Sequence, residues 1–214
     1  MFKLTAPLLA LAISCAAPQA IAANVSFPGF AHGSESVTVK LVTLPTGDVN
    51  KTVNAGGFLT SLNGGPSFES YCVDVYQTIA FGPTYTDYTL PGTSHLFANS
   101  DAYADLGRLY ANVGTITDAM HEAAFQLAVW EIAYETGTSY DLASGSASFL
   151  GSAATLLQAK TWLDNLGLGV GQEIRVLTST GHQDVIIAVP EPETYALFMA
   201  GLAAVGFMAR RRKS

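Results

Sequence analysis

The chain has 214 residues, of which 49% are hydrophobic and only 13% charged, and its formal net charge is −7. This length suits one globular domain with terminal segments. Between residues 23 and 189, five basic residues stand against 15 acidic ones, the 17 of the whole chain less Glu191 and Glu193. Nucleic-acid-binding proteins need a basic surface, so we predict that this protein has no nucleic-acid partner.

Residues 1–22 have the pattern of a secretory signal peptide. Met1–Lys3 is basic, the following residues to about Ala17 are apolar, and Ala20–Ala22 supplies the small-x-small site that signal peptidase cleaves. The apolar run is too short for a membrane-spanning helix. We predict cleavage after Ala22 by signal peptidase, with lipidation at Cys15 as the alternative.

The first half of the mature chain is predicted to be β structure. Stretches rich in β-branched residues are separated by turns of glycine, proline and asparagine. The predicted strands cover Ser36–Leu44, Lys51–Thr60, Phe68–Tyr76 and Thr84–Leu90, and glycines break the second of them. Side chains alternate along a strand, so one face of the third strand should carry Phe68, Ser70, Cys72, Asp74 and Tyr76.

The second half is predicted to be helical up to a final hairpin. The helices cover residues 101–112, 118–135 and 147–166, and Thr115 or Thr117 is the predicted N-cap of the second. This second helix is apolar almost all round, which indicates a buried central helix. Residues 173–178 and 184–189 should form the hairpin.

This order of strands, helices and strands predicts a single α+β domain over residues 23–189. Its expected core is an antiparallel β-sheet of sandwich or barrel type, accompanied by a helical subdomain. No internal repeat is visible, and the proline-rich stretch near residue 190 is the clearest linker in the sequence.

Residues 190–214 combine a proline-rich breaker, an apolar segment and a basic tail. The breaker is Pro190, Glu191 and Pro192, the apolar segment is residues 195–208, and the tail is Arg210, Arg211, Arg212 and Lys213. The segment is shorter than the roughly 20 residues of a comfortable membrane helix. A basic tail stays on the cytoplasmic side. We predict a short transmembrane helix that serves as a transient anchor, with an ordinary tail anchor as the alternative.

This C-terminal pattern resembles the PEP-CTERM sorting signal. The resemblance implies processing by an exosortase near Pro190–Pro192 and a transient inner-membrane stage. It also implies delivery to the cell surface or extracellular matrix of a Gram-negative bacterium.

Cleavage after Ala22 would leave Cys72 as the only cysteine of the exported chain. Such a thiol is buried and inert, links chains through a disulfide, or is reactive. Gln126 offers a reaction: attack of Cys72 on its carboxamide would expel ammonia and form an internal thioester. Trp130, on the same helix face as Gln126, and Tyr71 could exclude water from this bond.

Asp74 lies two residues beyond Cys72, on the same predicted strand face. Its carboxylate would either accept a proton during the reaction or satisfy a backbone group. His121 lies five residues before Gln126 and should point about 140° away around the helix, in a surface or capping role. The other histidines, His32, His95 and His182, show no metal-ligand spacing, so no metal site is predicted.

Tyr71-Cys72 and Gln126-Leu127-Ala128-Val129-Trp130 resemble the two motifs of the thioester domain of bacterial surface adhesins, although Phe125 stands where that family commonly has threonine. The resemblance implies a thioester between the β-sheet and the helical subdomain. It implies covalent capture of an amine-bearing protein or matrix surface by a self-acylating module, without a cofactor and without enzymatic turnover.

Two alternatives remain beside the thioester. The first is a non-catalytic exopolysaccharide-matrix protein whose cysteine is inert or forms an intermolecular disulfide. The second is a Cys–His hydrolase that pairs Cys72 with His95 or His121, although no family-specific nucleophile signature surrounds the cysteine.

Overall fold

The structure is a computed structural model that describes residues 21–42, 44–45, 47–92, 97–137 and 139–189, together with residue 201. Most of the predicted signal peptide and nearly all of residues 190–214, including the predicted transmembrane helix, lie outside these ranges. Within them, no helix combines the length and the apolar character that crossing a membrane requires.

The described residues form nine strands and three helices. The strands are β1 (Ile21–Phe30), β2 (Glu35–Leu41), β3 (Val49–Ala55), β4 (Phe58–Leu62), β5 (Ser67–Cys72), β6 (Thr84–Gly92), β7 (Ala147–Leu150), β8 (Ile174–Ser179) and β9 (Val185–Ala188). The helices are α1 (Ala102–Asn112), α2 (Ala119–Tyr134) and α3 (Ala153–Asp164).

Six strands close into an antiparallel barrel in the order β1-β4-β5-β9-β8-β6, with β6 pairing back to β1. The rings of Phe27, Phe58 and Tyr88 are buried, and the Phe27 centroid lies 5.6 Å from that of Phe58 and 6.0 Å from that of Tyr88. A second sheet of three strands has the order β3-β2-β7. The predicted antiparallel core and helical subdomain are therefore confirmed, in the barrel form.

Helix α2 is the central element of the helical part. Every residue from Glu122 to Tyr134 is buried, as the apolar sequence predicted. The helix touches the small sheet, β5, α1 and α3, so residues 122–134 have no face toward solvent. Its N-cap is Asp118, whose side chain accepts a hydrogen bond from the His121 N–H, and not Thr115 or Thr117 as predicted.

The third predicted helix was wrong at its start. Residues 147–150 form β7, which pairs with β2 from Leu150↔Thr38 to Ala147↔Leu41. Helix α3 begins only after Ser152, whose side chain accepts from the Thr155 N–H and caps it. Pairing with β2 supplies backbone partners that a helix would otherwise provide, and this tertiary contact decides the local structure.

The predicted strand 51–60 is broken at its glycines, as predicted, but its two parts belong to different sheets. It divides at Gly56 and Gly57 into β3, which belongs to the small sheet, and β4, which belongs to the barrel. A Cβ at Gly57 would overlap Glu122 Oε2, and one at Gly56 would overlap the Gly33 carbonyl oxygen. Two residues without side chains let the chain cross between the sheets directly beneath α2.

Strand β1 had no counterpart in the sequence analysis. It starts at Ile21, so the predicted cleavage after Ala22 falls within it. It pairs antiparallel with both β4 and β6. Its pairing register with β4 shifts between Ser26 and Gly29, as at a β-bulge, although side-chain burial alternates from Ala23 to Pro28. The remaining strand and helix predictions agree with the structure to within a few residues, including the terminal hairpin β8–β9.

Candidate functional site

The predicted pair Cys72 and Gln126 meets where β5 ends against α2. The Cys72 N–H donates to Gln126 Oε1 over 3.0 Å, and Gln126 Nε2 donates to the Cys72 carbonyl oxygen over 2.8 Å. Both residues are 1% exposed. The carboxamide is thus held against the main chain of Cys72 by two hydrogen bonds, both buried.

The course of β5 explains why these backbone groups accept a side-chain partner. Its ladder with β4 ends at Ser70↔Phe58, because the chain before Phe58 turns away at the two glycines. On the other edge, the Val73 N–H donates to the Asp184 carbonyl oxygen, so the polar groups of Cys72 face the vacated β4 edge. The Gln126 amide takes the place of a strand neighbour there, since buried backbone groups need partners.

The Cys72 thiol is protonated at neutral pH. Its S–H donates to the Asp74 carbonyl oxygen over 3.1 Å. Burial is the main reason, and the negative charge of Asp74 the next, why the pKa of Cys72 is raised to about 12. The hydrogen bond to Asp74, the indole of Trp130 and the charge of Lys51 lower this pKa, but they do not offset the burial.

Asp74 takes the second of its two predicted roles. One carboxylate oxygen, Oδ1, accepts from the N–H groups of Tyr76, at 2.7 Å, and Gln77, at 3.3 Å. The carboxylate therefore shapes the turn that follows β5. Its negative charge near the sulfur disfavours a thiolate.

A cavity of about 330 Å³ adjoins the pair and is lined by both Cys72 and Gln126. Trp130 and the rings of Phe58 and Phe81 give it apolar walls, and Phe81 is 44% exposed, so the cavity reaches the surface. Lys51 of β3 also lines it and brings a primary amine and a positive charge. Sequence reasoning missed Lys51, since nothing in its neighbourhood distinguishes it from a solvent-facing lysine.

Trp130 lies on the cavity side of α2, as its spacing from Gln126 predicted. It is 3% exposed, and its ring stacks on Phe149 with a centroid distance of 6.5 Å and an interplanar angle of 11°. Its Nε1–H is buried without an acceptor in hydrogen-bond geometry among the described residues. It nevertheless lies close enough to the sulfur to lower the pKa of Cys72, because a thiolate would accept far better than a neutral thiol.

Tyr71 is placed on the opposite side of β5 from the thiol. Its hydroxyl donates to Glu122 Oε2 over 2.7 Å, and its ring centroid lies 4.4 Å from that of Phe125. Tyr71 therefore does not line the Cys72 cavity and supports the strand–helix contact from behind.

Behind the strand lies a charged group that the sequence did not indicate. Glu122 is fully buried, and its Oε1 lies 2.8 Å from His32 Nδ1, which is also 3.4 Å from Glu69 Oε1. Glu122 Oε2 accepts from the Tyr71 hydroxyl and from the Gly57 N–H, at 3.0 Å. These residues come from four separate parts of the chain, so no local spacing could have revealed them.

The pKa values of His32 and Glu69 are both raised in this group. The hydrogen bond that the His32 ring makes to Glu122 is the main reason why the pKa of His32 lies above its ordinary value. Burial, and then the charge of Glu122, raise the pKa of Glu69, while His32 lowers it. Two carboxylates thus share one imidazole, and negative charge exceeds positive charge.

The remaining described histidines have other partners. His121 Nδ1 lies 2.7 Å from Asp118 Oδ2, which is the capping role predicted for it. His182 Nδ1 lies 3.1 Å from Asp87 Oδ2. Within the described ranges no histidine lines the Cys72 cavity, and His95 falls outside them. A dyad of Cys72 with His121 is therefore not formed.

A family model for the PEP-CTERM protein-sorting motif matches residues 188–213. The chain is an exported protein that an exosortase sorts to the cell envelope or surface. No curated protein and no solved structure matches the chain, and no match to a thioester domain accompanies the sorting motif.

Proposed function

We propose that the exported domain forms an internal thioester between Cys72 and Gln126 and uses it to capture an amine-bearing partner covalently. The observation that carries this proposal is the pair of hydrogen bonds that holds the Gln126 carboxamide against Cys72. A reaction between a thiol and an unactivated amide needs a fixed geometry, and these bonds restrict the amide to one position beside the thiol.

The orientation of the amide suits attack by sulfur. When Sγ adds to the amide carbon, negative charge develops on Gln126 Oε1, and the Cys72 N–H already donates to this oxygen. The amide nitrogen, which must leave, is held by the Cys72 carbonyl oxygen. Rotation of the thiol away from the Asp74 carbonyl oxygen is the movement that would bring sulfur to the carbon.

The proposed reaction balances without a cofactor. A bond forms between Cys72 Sγ and the Gln126 amide carbon, the bond from that carbon to Nε2 breaks, and the thiol proton leaves with the nitrogen as ammonia. In the capture step a primary amine attacks the thioester carbon and the C–S bond breaks. The sulfur regains a proton, and an amide joins Gln126 to the partner. Each domain reacts once, so the protein is a self-acylating binding module and not a turnover enzyme.

The thiol itself is a poor nucleophile at neutral pH because its pKa is about 12. Formation of the bond therefore depends on placement, helped by the Trp130 N–H and the charge of Lys51, both of which favour the thiolate. The apolar walls of the cavity would then protect the thioester from hydrolysis.

The sorting signal indicates where the proposed reaction would take place. Exosortase processing would release the domain from a transient inner-membrane stage to the surface or extracellular matrix of a Gram-negative cell. The natural partner is an amine on a protein or on matrix material, where the bond would serve adhesion or cross-linking.

The intact mass of the secreted protein tests the thioester. The wild-type chain should be one ammonia lighter than its sequence, whereas Cys72→Ala and Gln126→Glu should have their full sequence masses. Treatment with methylamine should raise the mass of the thioester form by that of one methylamine. A peptide map should locate this label on the peptide that contains Gln126. A wild-type chain at full mass, or a label that persists in Cys72→Ala, would overturn the proposal.

A second candidate is a non-catalytic matrix protein with an inert cysteine. It is favoured by the 1% exposure of Cys72 and by its S–H bond to Asp74. This candidate predicts a full-mass chain whose thiol is alkylated only after unfolding. The same burial disfavours an intermolecular disulfide in the folded protein.

The sorting step has its own test. Protein from an exosortase-containing cell should lack Arg210, Arg211, Arg212 and Lys213. Replacing Pro190, Glu191 and Pro192 with alanines should leave this tail attached. A basic tail that remains on wild-type matrix protein would instead indicate a permanent anchor.

A further inference from the structure

We infer that His32, Glu69 and Glu122 form a binding site for one divalent transition-metal cation of the zinc type, on the opposite side of β5 from Cys72. The site rests on a different observation from the proposed thioester and stands independently of it. One ligand atom of each residue is available, and the three atoms lie within 4.8 Å of one another.

The distances are compatible with a single bound ion. Ligand atoms about 2.0–2.1 Å from a tetrahedral zinc lie about 3.3 Å from each other. His32 Nδ1 and Glu69 Oε1 are 3.4 Å apart, and His32 Nδ1 and Glu122 Oε1 are 2.8 Å apart. Of these two distances only the second must widen, by about half an ångström, when a metal ion replaces the proton between His32 and Glu122.

The donor set selects the class of metal. One imidazole nitrogen and two carboxylate oxygens suit zinc and similar first-row cations, whereas calcium requires six to eight oxygen ligands. Two carboxylates and one neutral imidazole carry a charge of −2, which a dication neutralises. Three protein ligands leave at least one coordination position for water or another ligand.

The Glu122 ligand is oriented by groups behind it. Its Oε2 accepts from the Tyr71 hydroxyl and the Gly57 N–H, which leaves Oε1 to face His32. A Cβ at Gly57 would overlap this carboxylate, so only glycine allows the backbone N–H to come so close. Outer hydrogen bonds of this kind commonly fix the geometry of metal-ligating carboxylates.

The histidine is positioned in a similar way. Gly33, directly after His32, has a φ of +99°, a conformation that side-chain-bearing residues rarely adopt. This turn brings the His32 loop against the start of α2, where a Cβ at Gly33 would lie 3.0 Å from that of Ala119. The loop after β1, strand β5 and helix α2 thus each contribute one ligand.

The experiment uses the exported full chain, purified without a histidine tag, stripped with a chelator and dialysed against zinc chloride. Metal analysis should find one zinc per chain, and zinc should raise the melting temperature because it binds only the folded state. Cobalt(II) in the same site should give visible absorption bands that excess zinc removes.

Two variants and a matched control decide the outcome. His32→Ala and Glu69→Gln change partly exposed residues and should fold, but should weaken zinc binding about tenfold or more. His121→Ala removes another histidine that pairs with a carboxylate at the start of α2 and should bind zinc like the wild type. The inference is overturned if the wild type takes up no zinc, which would leave a His32–Glu122 ion pair only, or if His32→Ala binds as tightly as the wild type.

Discussion

Strand β5 and helix α2 are joined by polar contacts on both sides of the strand, and the two contacts differ in charge. On the cavity side, Gln126 and the main chain of Cys72 form a neutral pair that is 1% exposed on both members. On the other side, Glu122 is fully buried, but its partners His32 and Glu69 have side chains that are 35% and 39% exposed.

This difference follows from the cost of removing each group from water. A neutral amide needs only hydrogen-bond partners, and two backbone groups supply them. A buried carboxylate needs hydrogen bonds and a compensating positive charge, and that charge is stable only near solvent. The neutral contact can therefore be closed to solvent, while the charged contact lies where an ion from solution can reach it.

Removing the charged contact should have the largest effect on stability. Glu122→Ala leaves the Tyr71 hydroxyl, the Gly57 N–H and His32 without their common acceptor, so we expect a loss of about 3–5 kcal/mol. Urea unfolding followed by tryptophan fluorescence measures it. The control is Glu173→Ala, an exposed acid next to Arg175, which should change stability by less than about 0.5 kcal/mol. Equal effects of the two substitutions would mean that burial of Glu122 contributes nothing.

A second buried acid of α2, Glu131, has no cation among its described hydrogen-bond partners. Its ionisation should therefore make the stability of the protein depend on pH. Burial raises its pKa from 4.5 to about 8, so the folded state keeps the proton while the unfolded state loses it above pH 4.5. The stability of the wild type should be greatest below pH 4.5 and should fall by a few kcal/mol as the pH rises to about 8.

The matched variant for this pH dependence is Glu131→Gln, which preserves the size of the side chain and cannot ionise. Its stability should vary less between pH 4.5 and pH 8 than that of the wild type, as measured by urea titrations at several pH values. Parallel curves for the two proteins would contradict the assigned shift.

Removing the neutral contact between Gln126 and Cys72 should lower the free energy of unfolding by less than removing the charged contact. Gln126→Ala leaves the N–H and C=O of Cys72 buried without partners and opens a small cavity, so we expect a loss of about 2–3 kcal/mol. The stabilities to compare are those of Cys72→Ala and of the double variant Cys72→Ala/Gln126→Ala. Neither protein can form the thioester, so the difference reports the hydrogen bonds of Gln126. A loss below about 0.5 kcal/mol would show that water replaces the amide, and the fixed geometry on which the thioester depends would then be absent.

The smallest expected effect on stability comes from Trp130→Phe. This change keeps an aromatic ring in the cavity wall and should cost less than about 1.5 kcal/mol. It removes the Nε1–H near the sulfur, so the pKa of Cys72 should rise and thioester formation should slow. Time-resolved mass spectrometry of ammonia loss after refolding measures the rate. An unchanged rate would remove Trp130 from the chemistry and leave it a packing role.

Much of the candidate site was predictable from local sequence. The cysteine on a strand and the glutamine on an apolar helix were both placed correctly, because turn signals bound the third predicted strand and a long apolar run marks α2 as a buried helix. The spacing of four residues also put Trp130 on the side of Gln126. Asp74 was placed near Cys72, but whether it serves the reaction or the backbone depended on the turn after β5.

The errors share one physical cause. Residues 147–150 were predicted as helix and form β7, while residues 51–60 were predicted as a strand broken by glycines and form strands of two different sheets. In both places pairing with a distant segment decided the local conformation over intrinsic preference. Strand β1 was missed although its burial alternates from Ala23 to Pro28, because Pro28 and Gly29 are residue types that are depleted in strands.

The sequence by itself determined the sorting signal at the C-terminus, the α+β class, the burial of α2 and the identity of the thiol and amide. These depend on composition, order and periodicity, which act over a few residues. Only the tertiary structure decided that the amide bonds both backbone groups of Cys72, that Lys51 lines their cavity, and that His32, Glu69 and Glu122 converge behind it. Each of these contacts joins segments far apart in the chain, and only the closing of the barrel beside α2 brings them together.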